Sequence, residues 1–166
     1  MIGIYVDHSI VALPDPRSLA EPVDIVPKLP SSLKAGLASS KWKERKEVLD
    51  ELLTLVNATP RIKDASEFGE IARSLATCIQ KDANINCVMT AAGCMEGLAK
   101  GVMVPFGRYR ESVVGPMLER LKERKANVTD CIGAALDAVF STVSLWTQIT
   151  INVFDAQSVL STFRLP

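Results

Sequence analysis

Any covalent or metal chemistry in this 166-residue chain would have to come from Cys78, Cys87, Cys94, Cys131 and His8, its only thiols and its only imidazole. A structural zinc site gathers thiolate and imidazole ligands at short spacing. Here no CxxC pair occurs and no histidine stands near a cysteine. A thiol nucleophile needs a depressed pKa and a base beside it, and no motif links His8 to any of the thiols. All four cysteines fall in apolar, helix-patterned stretches, where free cysteine behaves as a small buried hydrophobe. They read as core thiols. The expectation is a chain with no catalytic residues, no cofactor, no metal and no small-molecule substrate.

Binding chemistry is left to bases and tryptophan. The 19 Lys and Arg balance 19 Asp and Glu, with a pI near 6.6, which argues against a whole-chain nucleic-acid coat. Hydrophobic residues reach 48% with aromatics at only 5%, a composition suited to close helix-on-helix packing and too apolar for disorder. No uncharged run approaches a membrane span. Met1 to Leu13 is apolar but lacks a basic n-region and is interrupted by Asp7 and His8, so it reads as a poor signal peptide. The sequons at Asn57 and Asn127 then read as chance matches, and the location expected is cytoplasmic.

The elements that must carry these residues repeat. Residues 1–30 are proline-rich and read as an extended leader. Beyond Pro30 helical periodicity begins, and Trp42, Ile85 and Val128 recur at a fixed offset of 43 residues. At that offset Val48 meets Ala91 and Ala134, Leu49 meets Ala92 and Ala135, and Leu52 meets Met95 and Ala138; Arg45, which meets Val88 and Cys131, is the one polar exception. A period of 43 falls in the range of HEAT and armadillo units. Each unit also carries an earlier helix: a short one around Ser32 to Ala38, one from Glu67 to Gln80 capped by Ser66 with Phe68, Ile71, Leu75 and Ile79 inward, and one from Tyr109 to Lys122 with Val113, Met117, Leu118 and Leu121 inward and Pro116 tolerated by a bend or late start. The fold class is therefore all-α, an α-solenoid of HEAT-like helix pairs with about three repeats plus a partial fourth.

Stacked antiparallel pairs place the turns Ser39–Trp42, Lys81–Ile85 and Glu123–Val128 along one edge, the surface by which solenoids meet partners. Trp42, flanked by Lys41, Lys43 and Arg45, has two readings: it folds back as core, or it stands out as an indole anchor of the type enriched among binding hot spots. The second turn suits hydrogen bonding or the capping of the next helix by Asn84. The third, Arg120 to Lys125, holds four bases and one acid. A solvated face accounts for such a run, but its place on the same edge as Trp42 favours an acidic protein partner. Nucleic acid fits less well, because no aromatics are interleaved with these bases.

The runs Ala20-Glu-Pro-Val-Asp-Ile-Val-Pro-Lys-Leu-Pro30 and Ser39-Ser-Lys-Trp-Lys-Glu-Arg-Lys-Glu47 resemble the opening of a TOG domain in the family of microtubule polymerases. Lys81-Asp-Ala-Asn-Ile85, Gly97-Leu-Ala-Lys-Gly101 and Leu121-Lys-Glu-Arg-Lys-Ala-Asn-Val128 are similar to its next two repeats, closest to the second TOG domain. The resemblance covers about Pro14 to Leu145. It implies a non-enzymatic paddle whose turns bind curved αβ-tubulin, mainly on the β-tubulin side. Trp42 and Lys43 would supply the first contact, Asn84 and Ile85 the second, and Arg124 and Lys125 the third. It also implies a place on the cytoskeleton, at microtubule plus ends and the spindle.

A TOG domain of this family has six repeats. The expectation is accordingly a leader over 1–30, a partial TOG domain over 31–145 cut after the third repeat, and an atypical tail over 146–166. The tail carries Trp146, Ile149, Val153, Ala156, Leu160 and Phe163 at helical spacing, so it reads as a capping helix, or as a strand-like or disordered end of a truncated, mis-spliced or wrongly assembled product. Two alternatives stand beside the tubulin reading: a generic HEAT scaffold for another acidic partner, and a non-functional fragment.

Overall fold

The apolar spacing closes into three helix pairs. The structure, a computed structural model, describes residues 16–142. Over that range run α1 (Leu33–Leu37), α2 (Trp42–Asn57), α3 (Phe68–Lys81), α4 (Ile85–Val102), α5 (Arg110–Arg120) and α6 (Ala126–Ser141), with no strands among the described residues. His8 and the expected tail, Trp146 onward, lie outside the described residues.

Second helices pack in order, α2 on α4 and α4 on α6, while α3 packs on α4 and α5. The central helix α4 is accordingly buried nearly all round, from Cys87 and Val88 to Gly101 and Val102. Small residues make this possible. A Cβ on Gly97 would sit 2.6 Å from Val56 Cγ2, so the two backbones approach as they do only because that side chain is absent. The thiol of Cys87 donates to the Trp42 carbonyl at 3.5 Å and that of Cys94 to the Leu49 carbonyl at 3.3 Å. Seven residues on in one helix match seven in the other, so α2 and α4 run parallel and in register.

Several sequence expectations shift. The first helix of the second unit begins at Phe68, and Ser66 does not cap it: its hydroxyl donates to the Glu67 carboxylate instead. Phe68, Ile71, Leu75 and Ile79 are buried as the stripe requires. The third unit's first helix starts at Arg110, after a 3-10 stretch over Val104–Tyr109, and runs through Pro116. Val113 and Met117 are core there, whereas Leu118 is 48% exposed. The 43-residue period survives in the core, where Leu49, Ala92 and Ala135 are all buried, as are Leu52, Met95 and Ala138. It fails at the helix start. Trp42 and Ile85 open their helices, but α6 opens at Ala126, and Val128 lies inside its first turn. Ala134, matched to Val48 and Ala91, is exposed although its neighbours Ala135 and Ala138 keep the buried register.

The leader is not a free coil where it is described. Val23 donates to the Arg61 carbonyl at 3.0 Å and accepts from Lys63 N at 2.8 Å, while the Arg61 guanidinium donates to the Ser18 and Ala20 carbonyls. Prolines exclude a long helix here, but Ile25 is fully buried and anchors the segment.

Candidate partner-binding edge

The turns preceding α2, α4 and α6 share one backbone form. Their cap residues Lys41, Asn84 and Lys125 have φ between −88° and −87° and ψ between 112° and 117°. Only Asn84 caps through its side chain, its Oδ1 accepting from Asn86 N at 2.9 Å. The capping reading of Asn84 is therefore realised.

Turn one and turn two are bolted together by a residue the apolar stripe marked only as an exception. Arg45 donates from Nε to Asp82 Oδ2 at 2.7 Å and from Nη2 to Asp82 Oδ1 at 2.8 Å, while its Nη1 donates to the Ser39 carbonyl at 2.8 Å. Asp82 also accepts from Asn84 N at 2.8 Å and from the Cys78 thiol at 3.6 Å. Burial pushes the Asp82 carboxyl up, yet the Arg45 guanidinium and the Asn84 amide outweigh it and hold its pKa below the ordinary value. Turn three is set by a second tie. Arg120 Nη1 donates to the Gln80 carbonyl at 3.4 Å, and the Gln80 amide donates to Glu119. At the other end, the Tyr109 hydroxyl donates to the Ala65 carbonyl at 3.2 Å. Together these fix α5 parallel to α3, so both helices deliver their following turns to the same edge.

On that edge Trp42 is 43% exposed. Its side chain is not core, and of its two readings the exposed one describes the structure. Lys43, Arg124 and Lys125 are exposed as well, while Asn84 and Ile85 are half-buried at the start of α4. Ile85 leans on the core. Lys41 is engaged with Glu44 at 2.8 Å, and Glu44 also accepts from the Ser39 hydroxyl. Lys43, Lys122, Arg124 and Lys125 have no ion pair among the described residues. The edge therefore offers one indole and unspent positive charge. Sequence reasoning missed Asp82, Arg120 and Gln80 as positioning groups; the available signal was a charged Arg45 standing in an apolar stripe.

Cys78, Cys87 and Cys94 are poor nucleophiles in this setting. Burial, reinforced by the charge of Asp82, pushes Cys78 up to about 12, and burial with the charge of Asp50 does the same for Cys94. Burial also raises Cys87. Among the described residues no three His, Cys, Asp or Glu are placed to hold a metal ion, and no helix is long and apolar enough to cross a membrane.

Similar proteins share both the sequence and the stack. The chain is 43% identical over 131 residues to the spindle pole body component alp14 of Schizosaccharomyces pombe, covering 79% of this chain and 16% of that protein. It is 36% identical over 135 residues to zygote defective protein 9 of Caenorhabditis elegans, covering 81% and 10% of the two chains. With protein mini spindles of Drosophila melanogaster it shares 37% over 134 residues, covering 81% and 6%. The chain thus spans a sixth or less of the length of these relatives. No family model matches it. A chain solved in work on microtubule plus-end tracking by XMAP215, CLIP-170 and EB1 superposes with a TM-score of 0.73 at 35% identity, over 78% of this chain and 54% of that one. Another, solved in work on tubulin recruitment and assembly by microtubule polymerases with TOG domain arrays, gives 0.72 at 35% identity, over 78% and 27%. By sequence and by its stack of HEAT-like helix pairs, the chain belongs to the TOG-domain family of these spindle and microtubule proteins.

Proposed function

We propose that residues 31–145 form the opening repeats of a TOG domain and bind the αβ-tubulin heterodimer through the edge of turns. The observation that carries this reading is the exposed indole of Trp42 beside the unpaired Lys43, held by the Arg45–Asp82 pair in fixed relation to Asn84 and Ile85. Trp42 packs on β-tubulin, Asn84 and Ile85 add a polar and an aliphatic contact, and Lys43, Arg124 and Lys125 meet acidic tubulin surface. Affinity for the bent rather than the straight dimer is what lets such a domain deliver soluble tubulin, because a ligand shifts a conformational equilibrium only through differential affinity. The role is non-catalytic: thiols pushed upward are the opposite of what a nucleophile needs. The cytoplasmic site of action is the microtubule plus end and spindle, in keeping with relatives named as a spindle pole body component and a centrosomal protein.

The test is size-exclusion chromatography of the chain with and without soluble αβ-tubulin, repeated for Arg124→Glu/Lys125→Glu. Co-elution that weakens in the double variant supports the reading. A folded monomer that ignores tubulin contradicts it.

A further inference from the structure

The first helix of the first unit is a stub. α1 has 5 residues against 14 in α3, so it leaves part of the outer face of α3 uncovered beneath turns one and two. The space is a cleft of about 420 Å³, with Lys34 and Leu37 on the α1 side, Ser74 and Lys81 on the α3 side, and the Arg45–Asp82 pair between them. We propose that this cleft docks an acidic peptide segment of a protein partner.

Charge accounting supports the choice of occupant. Arg45 and Asp82 neutralise each other through two hydrogen bonds. Lys81 makes no ion pair among the described residues. Lys34 is paired only with Glu70 just outside the cleft, at 2.7 Å, with the two side chains 73% and 54% exposed. A pair that open to water contributes little and exchanges readily for an incoming carboxylate. Ser74 is half-buried and makes no side-chain hydrogen bond among the described residues, which leaves a donor facing the same space. Two lysines on opposite walls, the Ser74 hydroxyl on the α3 wall and the aliphatic Leu37 on the α1 wall fit a carboxylate-bearing side chain followed by an apolar one. The cleft adjoins turns one and two, with Ser39, Lys81 and Asp82 in its lining, but includes none of the bases of turn three, so substitutions at Arg124 and Lys125 separate it from the tubulin reading.

The probe is a fluorescein-labelled glutamate-rich peptide carrying leucines, titrated with the whole chain and followed by anisotropy. Binding should weaken with added salt. Lys34→Glu/Lys81→Glu should lower the affinity about tenfold, with the milder Lys34→Gln/Lys81→Gln in between, each replacing one or two weak ion pairs by neutrality or repulsion. Arg124→Glu/Lys125→Glu should leave it unchanged. No binding, equal loss in the two charge-reversal variants, or equal binding of an oligonucleotide of the same charge would each overturn the proposal.

Discussion

Arg45 and Asp82, 37 residues apart, form a two-pronged ion pair with N–O distances of 2.7 and 2.8 Å, their side chains only 16% and 3% exposed. The pair joins the turn that carries Trp42 to the turn that carries Asn84, so the geometry of the edge and the stability of the stack depend on the same contact. Removing one partner strands the other charge in the interior, which costs about 3–5 kcal/mol. Asp82→Ala and Arg45→Ala should therefore each lower the urea midpoint sharply, and the double variant should lose much less than the sum. Additive losses in that cycle would show that the pair is not coupled.

Acid should dissolve the same contact. The folded-state pKa of Asp82 lies below its unfolded value, so its ionised form contributes stability that is present above the unfolded pKa of about 4 and is lost as pH falls through the folded value. Denaturation measured from neutral pH downward should show wild type and Asp82→Asn far apart at neutral pH and converging in acid. A constant gap across that range would contradict the assignment.

The thiols should be slow to react in the native state. With Cys78 and Cys94 pushed up to about 12, their thiolate fraction near neutral pH is about a thousandfold smaller than for an ordinary cysteine. Timed alkylation with peptide mapping should label the half-buried Cys131 first and reach Cys87 and Cys94 only as the chain opens. Early labelling of Cys78 would revive a reactive-cysteine role.

Gly97 is a packing residue. A methyl placed there meets Val56 Cγ2 at 2.6 Å, and such overpacking costs about 1–3 kcal/mol. Gly97→Ala should destabilise the chain by that order in thermal or urea unfolding, and adding Val56→Ala should recover part of the loss. Full tolerance of Gly97→Ala alone would mean that α2 and α4 are looser than the structure shows.

Much of this was legible in the residues because apolar spacing follows directly from helix geometry. Leu49, Leu52, Ala92 and Met95 announced their buried faces, and the three turns emerged where the stripes broke. What failed had no periodic signal. The helix start at Ala126 is set by the backbone form at Lys125, which the apolar register at Val128 does not reveal. Ser66 looked like a cap, but its hydroxyl went to the neighbouring Glu67. The docking of Val23 on the loop at Arg61 and Lys63 depends on backbone pairing between distant segments, which proline content alone hides. The candidate edge was half legible: Trp42 and the bases stood out by type, whereas the Arg45–Asp82 and Arg120–Gln80 ties that align them are contacts between repeats.

The central claim rests on Trp42, and titration of labelled αβ-tubulin with wild type and Trp42→Ala tests it most directly. Both proteins should give the same circular dichroism and nearly the same urea midpoint, because the indole is exposed and is not one of the buried core residues. Loss of a tryptophan hot spot costs about 2 kcal/mol or more, a weakening of roughly thirtyfold. That loss with the fold intact is the predicted result; an unchanged tubulin affinity in folded Trp42→Ala would contradict the account.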